Sequence, residues 1–159
     1  MPKDTPSMAK NKMWRCFAAI LDPHPSKSEV DMLWDYFDST CAYCGTEIER
    51  ASRTGHLDHV RPTSDGGTNS IYNHVLSCSR CNGDEKREEL WTTFLARKAA
   101  DQSLASARKE KIEVWLSREQ PLPISDSRQR EEAERIIAAT LESFDLAVEQ
   151  LRRMRRNGT

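Results

Sequence analysis

Two pairs of cysteines constrain this chain more than any other feature of its sequence. Cys41 and Cys44 form one C-x-x-C pair, and Cys78 and Cys81 form a second. Such a pair places two thiols on one tight turn, a spacing that suits tetrahedral zinc, and two pairs complete a Cys₄ shell with no position left for a substrate. The sequence therefore predicts one structural zinc ion (Zn²⁺) that ties together two separate regions of the chain.

The number of cysteines also indicates a cellular compartment. The chain has five cysteines, so a disulfide framework would leave an odd thiol, whereas two pairs and a spare are typical of a cytosolic metal site. The spare, Cys16, is predicted to be a small core residue. Since no apolar stretch approaches the ~18 residues of a membrane span, we expect a cytoplasmic protein.

The charge of the chain limits how it could bind an anionic polymer. It has 24 Lys and Arg against 25 Asp and Glu, a formal net charge of −1, while nucleic-acid binders usually carry excess basic charge. Contacts with phosphate must therefore come from local basic clusters or from a bound cation. The clusters lie at residues 97–98, 108–111 and 152–156.

The hydrophobic pattern predicts helices around a small hairpin, after a polar start that we expect to be frayed. The first predicted helix begins at Ser26, which is spaced from Glu29 as in a capping box. Its apolar face comprises Val30, Leu33, Trp34 and Phe37. Two β-prone runs, 55–60 and 71–77, are joined by a long loop rich in Pro, Asp and Gly, which predicts an antiparallel hairpin.

Three more helices are predicted after the hairpin. One begins at Cys81 or Asn82 and buries a stripe of Leu90, Trp91, Phe94 and Leu95. The others span 104–118 and 128–156, and the last has a regular apolar stripe on a highly charged background. The stripe comprises Ala133, Ile136, Ile137, Thr140, Leu141, Phe144, Val148 and Leu151. The predicted fold is therefore a small α+β unit held by a Cys₄ zinc site and embedded in additional α-helices.

The segment between the cysteine pairs, "HLDHVRPTSDGGTNSIYNHVLSCSRCN", contains the candidate catalytic residues. Neighbouring residues of a strand point to opposite faces, so Asp58 and His59 cannot both bind one metal from regular strand geometry. Asp58 and the side-chain oxygen of Asn82 are hard donors that suit Mg²⁺ or Mn²⁺. His59 titrates near neutral pH and can take a proton from an attacking water.

Several motifs in this segment resemble one family, the HNH or ββα-metal nucleases, in the subgroup that wraps its hairpin around a Cys₄ zinc site. They are "CAYCG", "LDHVRP", "GG", "YN" followed by "LSC", and "CSRCN". The resemblance implies that Asp58 and Asn82 bind the catalytic cation, that His59 is the general base and that Asn73 braces the loop. It further implies hydrolysis of DNA phosphodiester bonds with one divalent cation.

The resemblance also suggests which side chains contact phosphate. The family commonly has a lysine three residues beyond the last asparagine, where this chain has Glu85 and then Lys86. Lys86 shares a helix face with that position and is one candidate. Arg61, Arg80 and Arg87 are the others.

These expectations divide the chain into three parts and leave other functions open. The parts are an N-terminal extension over 1–25, a nuclease domain over 26–100 with its core at 41–98, and a C-terminal helical extension over 101–159. One alternative is a noncatalytic zinc-knuckle module that binds nucleic acid or a protein; another is a nuclease directed at RNA. The C-terminal helix could further serve a homodimer or recruit a protein partner.

Overall fold

The computed structural model of the chain describes residues 4–87, 89–118 and 126–157. Contacts divide the chain into two compact units, one of His24–Gln120 and one of Met1–Pro23 with Pro121–Thr159. The domain limits at 25 and 100 stay predictions. No helix of the described residues is long and apolar enough to cross a membrane.

Helices and a single two-stranded sheet make up the regular structure of the described residues. The elements are α1 (Pro6–Leu21), α2 (Lys27–Tyr36), β1 (Gly55–His59), β2 (His74–Cys78), α3 (Trp91–Lys98), α4 (Gln102–Leu116) and α5 (Ser127–Asn157). The predicted α+β class is confirmed.

The sheet is the predicted hairpin, with shorter strands than the sequence indicates. Strands β1 and β2 pair antiparallel, with Leu57 opposite Leu76 and His59 opposite His74. The second predicted run began at Ile71, but residues Ile71–Asn73 form a 3₁₀ turn that precedes β2. The long connection therefore returns the chain so that two histidines face each other at the end of the hairpin next to the loop.

The helix predicted from Cys81 onward is broken in the structure. Residues Arg80–Glu85 form a π-helical turn, and Arg87 adopts a left-handed conformation with φ 47°, which no continuous right-handed helix can include. Helix α3 therefore begins only at Trp91. Leu90, predicted to be buried, is 71% exposed, because it lies before the first turn of α3.

The start of α2 matches its prediction closely. The Ser26 side chain accepts from the Glu29 backbone N–H, and the Ser26 N–H donates to Glu29 Oε2 at 2.7 Å, so the capping box is formed. Leu33, Trp34 and Phe37 are buried. This face of α2 lies in the core of the unit, which α4 and the hairpin complete.

Helix α4 belongs to this compact unit and bonds both the start of β2 and the first cysteine turn. The indole N–H of Trp115 donates to the carbonyls of His74 at 2.8 Å and Ile71 at 3.2 Å. Arg108 Nη1 donates to the Tyr43 carbonyl at 2.9 Å. Trp115 is fully buried, so α4 both fills the core and fixes the backbone around the cysteine and histidine positions.

The second unit contains α1, which the sequence analysis did not predict. Thr5 caps the helix by accepting from the Met8 N–H, and Pro6 occupies its first turn, where a missing N–H costs nothing. The expected frayed start is thus wrong. Cys16, predicted to lie in a core, is exposed.

Helices α1 and α5 pack antiparallel within that unit. Lys10 forms an ion pair with Asp145 near one end, while Phe17 lies beside Ile136 and Ile137 near the other. Part of the predicted α5 stripe is half-buried: Ala133, Ile137, Leu141, Phe144 and Val148. Ile136 and Leu151 are exposed, so the covered face is narrower than the predicted stripe.

We predict that Gly67→Ala destabilises the hairpin connection. A Cβ at Gly67 would meet the Arg61 carbonyl oxygen at 1.9 Å, and forced displacement of packed backbone costs roughly 1–3 kcal/mol. Denaturant unfolding measures the loss. Gly83→Ala is the matched control, because a Cβ there meets nothing within 4 Å. Equal stabilities for the two variants would contradict the prediction.

Candidate functional site

The four paired cysteines converge into one cluster. Cys41 and Cys81 are buried, Cys44 and Cys78 are half-buried, and the four Sγ atoms all lie within 4.8 Å of one another. The Cys44 and Cys78 sulfurs are 3.8 Å apart. A tetrahedron with metal–sulfur bonds of ~2.3 Å has edges of about 3.8 Å, so the cluster fits a tetrahedral metal ion.

Backbone hydrogen bonds hold the first cysteine turn in place. The Cys41 N–H donates to Thr46 O at 2.8 Å, and the Gly45 N–H donates to Cys41 O at 2.8 Å. Gly45 has φ 74°, a conformation that favours glycine. The Ala42 N–H donates to Leu76 O at 2.8 Å, so the turn is fastened directly to β2.

The pKa values of the clustered thiols favour the binding of a cation. The hydrogen bond with Cys81 lowers the pKa of Cys41 to about 4, although burial opposes this shift. The same bond raises the pKa of Cys81. Hydrogen bonding within the pair therefore favours a thiolate at Cys41, and a bound metal would displace the remaining thiol protons.

The candidate catalytic residues line one cleft beside the cluster. This cleft has a volume of about 350 Å³, and its walls include Asp58, His59, Asn82, Lys86 and Arg87. Strand β1 supplies the first two residues and the π-helical turn supplies Asn82. Because Cys78 precedes that turn and Cys81 lies within it, next to Asn82, the cluster sets where Asn82 lies relative to Asp58.

Asp58 is nearly buried, at 8% exposure, and two donors reach the same carboxylate oxygen. The Tyr43 hydroxyl donates to Oδ2 at 2.6 Å, and the Lys86 ammonium lies 2.9 Å from Oδ2. Burial, and next the charge of Asp58, raise the pKa of Tyr43 well above its usual value, so the hydroxyl keeps its proton. The second oxygen, Oδ1, is left for another ligand.

His59 has a different set of neighbours from Asp58. Its Nε2 lies 3.3 Å from Asn69 Oδ1, and its ring centroid is 4.0 Å from that of His74. Because the amide oxygen accepts the Nε2 proton, Nδ1 of a neutral His59 carries the free lone pair. The two adjacent residues therefore present an oxygen donor and a proton acceptor separately.

Asn73 closes the connection between the strands. Its Oδ1 accepts from the Arg61 N–H at 3.0 Å, and its Nδ2 donates to the carbonyls of Arg61 at 3.0 Å and Thr68 at 2.8 Å. The side chain is buried. These three bonds fix the loop that follows the Asp58 and His59 pair.

The four basic candidates for phosphate contact lie in different surroundings. Lys86 is 3% exposed and also donates to the His59 carbonyl at 3.1 Å, so its ammonium faces inward. Arg80 is paired with Glu85 at 2.6 Å. Arg61 Nε donates to the Asp65 carbonyl at 2.8 Å, and exposed Arg87 lies at the wall of the cleft.

The comparison with known families agrees with this geometry. A family described as HNH endonuclease matches residues 41–88, the range that contains the cysteine cluster and the cleft. These residues form an HNH endonuclease domain.

A curated relative extends the similarity beyond the HNH domain. It is named "SPbeta prophage-derived putative HNH endonuclease YoqL", from Bacillus subtilis (strain 168), and is 29% identical over 116 residues. The alignment covers 61% of this chain and 45% of the relative. The chain thus spans less than half the length of the relative that it matches.

Sequence reasoning missed two contributors to the HNH site, Tyr43 and Asn69. Tyr43 lies inside the first cysteine pair, where an aromatic residue looks like ordinary core. Its role at the site can be predicted only if the first cysteine turn is known to face β1. Lys86 was a candidate for phosphate contact, but its ion pair with Asp58 could not be foreseen. That contact depends on the π-helical turn, in which the Lys86 N–H donates to Cys81 O five residues back.

His74 should make the HNH unit sensitive to acid. Burial lowers the pKa of His74 to about 4, and its Nδ1 donates to Ser70 O at 2.8 Å. A depressed histidine pKa means that the unfolded state binds the proton first, so this stability is present above pH ~6.5 and is lost as pH falls toward ~4.

We predict that the wild type loses roughly 2 kcal/mol more than His74→Asn between about pH 7 and pH 5, as the linkage relation gives. The asparagine amide keeps a donor for Ser70 O but does not titrate. Denaturant unfolding at both pH values measures the difference. Parallel losses in the two proteins would show that His74 is not the cause.

Proposed function

We propose that this protein is a metal-dependent HNH endonuclease that hydrolyses phosphodiester bonds of DNA. The cleft that unites Asp58, His59 and Asn82 is the observation that supports it best. It offers oxygen ligands and a proton acceptor side by side, as cation-assisted hydrolysis requires.

The donor atoms of the cleft fit a hard divalent cation. Asp58 Oδ1 and the Asn82 side-chain oxygen would hold Mg²⁺ or Mn²⁺, with waters and phosphate oxygens completing the shell. Such a cation supplies stabilisation of charge on the phosphate and on the leaving oxygen. Lys86 lies beside the same carboxylate, so a cation at Oδ1 would share Asp58 with the Lys86 ammonium.

His59 acts as the general base in this proposal. The Asn69 contact holds the ring through Nε2, and Nδ1 takes the proton of the attacking water. Asn73 fixes the loop behind His59 through its bonds to the Arg61 backbone. Positioning of this kind limits the loss of entropy on reaching the reactive geometry.

Substrate contacts arise from local basic groups, since the net charge is −1. Arg87, at the wall of the cleft, and the exposed residue Arg61 are the side chains proposed to contact the backbone of a nucleic acid. Lys86, whose ammonium faces inward toward Asp58 and the His59 carbonyl, is left out of these contacts. We further propose that the C-terminal helix α5 serves a homodimer or a recruiting partner, and that the protein acts in the cytoplasm.

The cysteine cluster is proposed to hold a structural zinc ion. Its four thiolates close the coordination shell, so the ion organises the fold and does not meet the substrate. One zinc per chain should be found by metal analysis. Cys81→Ser should lose the zinc and unfold the HNH unit, which circular dichroism detects, because a structural zinc contributes an apparent ~10 kcal/mol or more.

Cys16→Ser is the matched control for this variant, since Cys16 is exposed and outside the cluster. It should keep both the zinc and the fold. Folded, active wild-type protein that contains no zinc would reject the assignment.

The catalytic roles are tested by substitutions of the two adjacent residues. His59→Ala should cleave supercoiled plasmid ~10²–10⁴-fold more slowly, as expected for loss of a general base, while its affinity for Mn²⁺ stays near that of wild type. Asp58→Ala should lose that affinity, and Asn82→Ala should show a milder form of the same defect.

Other outcomes would select the alternative functions. Wild type that binds DNA but cleaves neither DNA nor RNA would indicate a noncatalytic zinc-knuckle module. Cleavage of RNA without cleavage of DNA would change the substrate. A loss of Mn²⁺ affinity in His59→Ala but not in Asp58→Ala would reverse the roles assigned to the pair.

A further inference from the structure

Tyr43 connects the cysteine cluster to the cleft by a single side chain. It stands between Cys41 and Cys44 in the sequence, and its hydroxyl donates to Asp58 Oδ2 at 2.6 Å. Its exposure is 0%. The residue that shapes the cysteine turn therefore also touches the carboxylate on which cation binding depends.

The direction of the Tyr43 side chain is fixed from several sides. The Tyr43 carbonyl accepts from Arg108 Nη1 at 2.9 Å, and the preceding Ala42 N–H bonds Leu76 O. The ring packs edge-to-face against Phe94, with centroids 5.1 Å apart and planes at 83°. A rigid ring held in this way fixes the position of its hydroxyl beside Asp58 Oδ2.

The geometry of Asp58 shows what that hydroxyl can do. Tyr43 and Lys86 both contact Oδ2. These two contacts oppose rotation of the carboxylate and leave Oδ1 as the oxygen that can bind a cation. Lys86 reaches the oxygen on a flexible stem, whereas Tyr43 reaches it on a rigid ring. The Tyr43 hydroxyl therefore restrains the orientation of the carboxylate more tightly than the Lys86 ammonium does.

We propose that Tyr43 is a positioning residue that orients Asp58 for the catalytic cation and makes this orientation depend on the fold of the cysteine cluster. The proposal rests on the proposed function, because it concerns the cation of the same cleft. Partners that orient a metal ligand typically contribute 10–100-fold to metal affinity, although they never touch the metal.

The test measures Mn²⁺ binding to the full chain by calorimetry, in the absence of nucleic acid. Tyr43→Phe keeps the ring and removes the hydroxyl, so its Kd for Mn²⁺ should rise ~10–100-fold. Plasmid cleavage should fall at low Mn²⁺ and recover at high Mn²⁺. A role limited to stability would not produce this dependence on metal concentration.

Tyr36→Phe is the matched control. The Tyr36 hydroxyl also makes one internal hydrogen bond, to Lys111 O at 2.8 Å, but it has no link to Asp58. The two variants should lose similar stability in thermal unfolding, yet Tyr36→Phe should bind Mn²⁺ as wild type does.

The outcomes separate this proposal from the one it rests on. If wild type binds Mn²⁺ and Asp58→Ala does not, the cation site stands, and an unchanged Kd in Tyr43→Phe overturns the role of Tyr43 alone. If wild type fails to bind, or Asp58→Ala binds equally, the cation site and the role of Tyr43 both fall.

A second substitution covers the case in which Tyr43→Phe does not fold. Replacing Tyr43 by 4-fluorophenylalanine keeps the ring and fills the volume of the hydroxyl, but it removes the donor to Asp58. The Kd for Mn²⁺ should rise in this protein and not in one with the same replacement at Tyr36. An identical Kd in both would overturn the proposal.

Discussion

The convergence of four cysteine sulfurs is the constraint on which the HNH unit depends. The zinc proposed for this cluster would contribute an apparent ~10–16 kcal/mol, which is as large as the whole stability of a typical domain at ~5–15 kcal/mol. The cluster joins the turn at Cys41 to the π-helical turn after β2. With those ends fixed, the hairpin between them has one register, and Asp58 and Asn82 are brought to one cleft.

The second constraint is the buried carboxylate of Asp58. Removing a charged group from water costs several kcal/mol, and a buried ion pair recovers this only with good geometry and further hydrogen bonds. Lys86 and Tyr43 provide both at Oδ2. The arrangement is better understood as a device for orientation than as a source of stability, since an apolar pair of similar size could fill the same space.

The sequence predicted the features whose physical cause is local. The Ser26 and Glu29 capping box involves residues three apart, and the formed box confirms it. The C-x-x-C spacing is likewise short, and the four cysteines do converge. The same reasoning failed where the cause is distant. The start of the chain is expected to fray, but it forms α1, which packs against α5, more than a hundred residues later in the chain.

The break before α3 shows the same difference between local and distant causes at the site itself. Residues 82–98 keep a helical hydrophobic pattern, yet the chain leaves the helix at Arg87, next to the position where Lys86 turns inward to meet Asp58. The sequence alone set the type and order of the chemical groups, which are four thiols, a carboxylate, an imidazole and two amides. Which oxygen of Asp58 is held, by Tyr43 and Lys86, was decided only by tertiary structure, because that contact joins three segments whose separations no local pattern encodes.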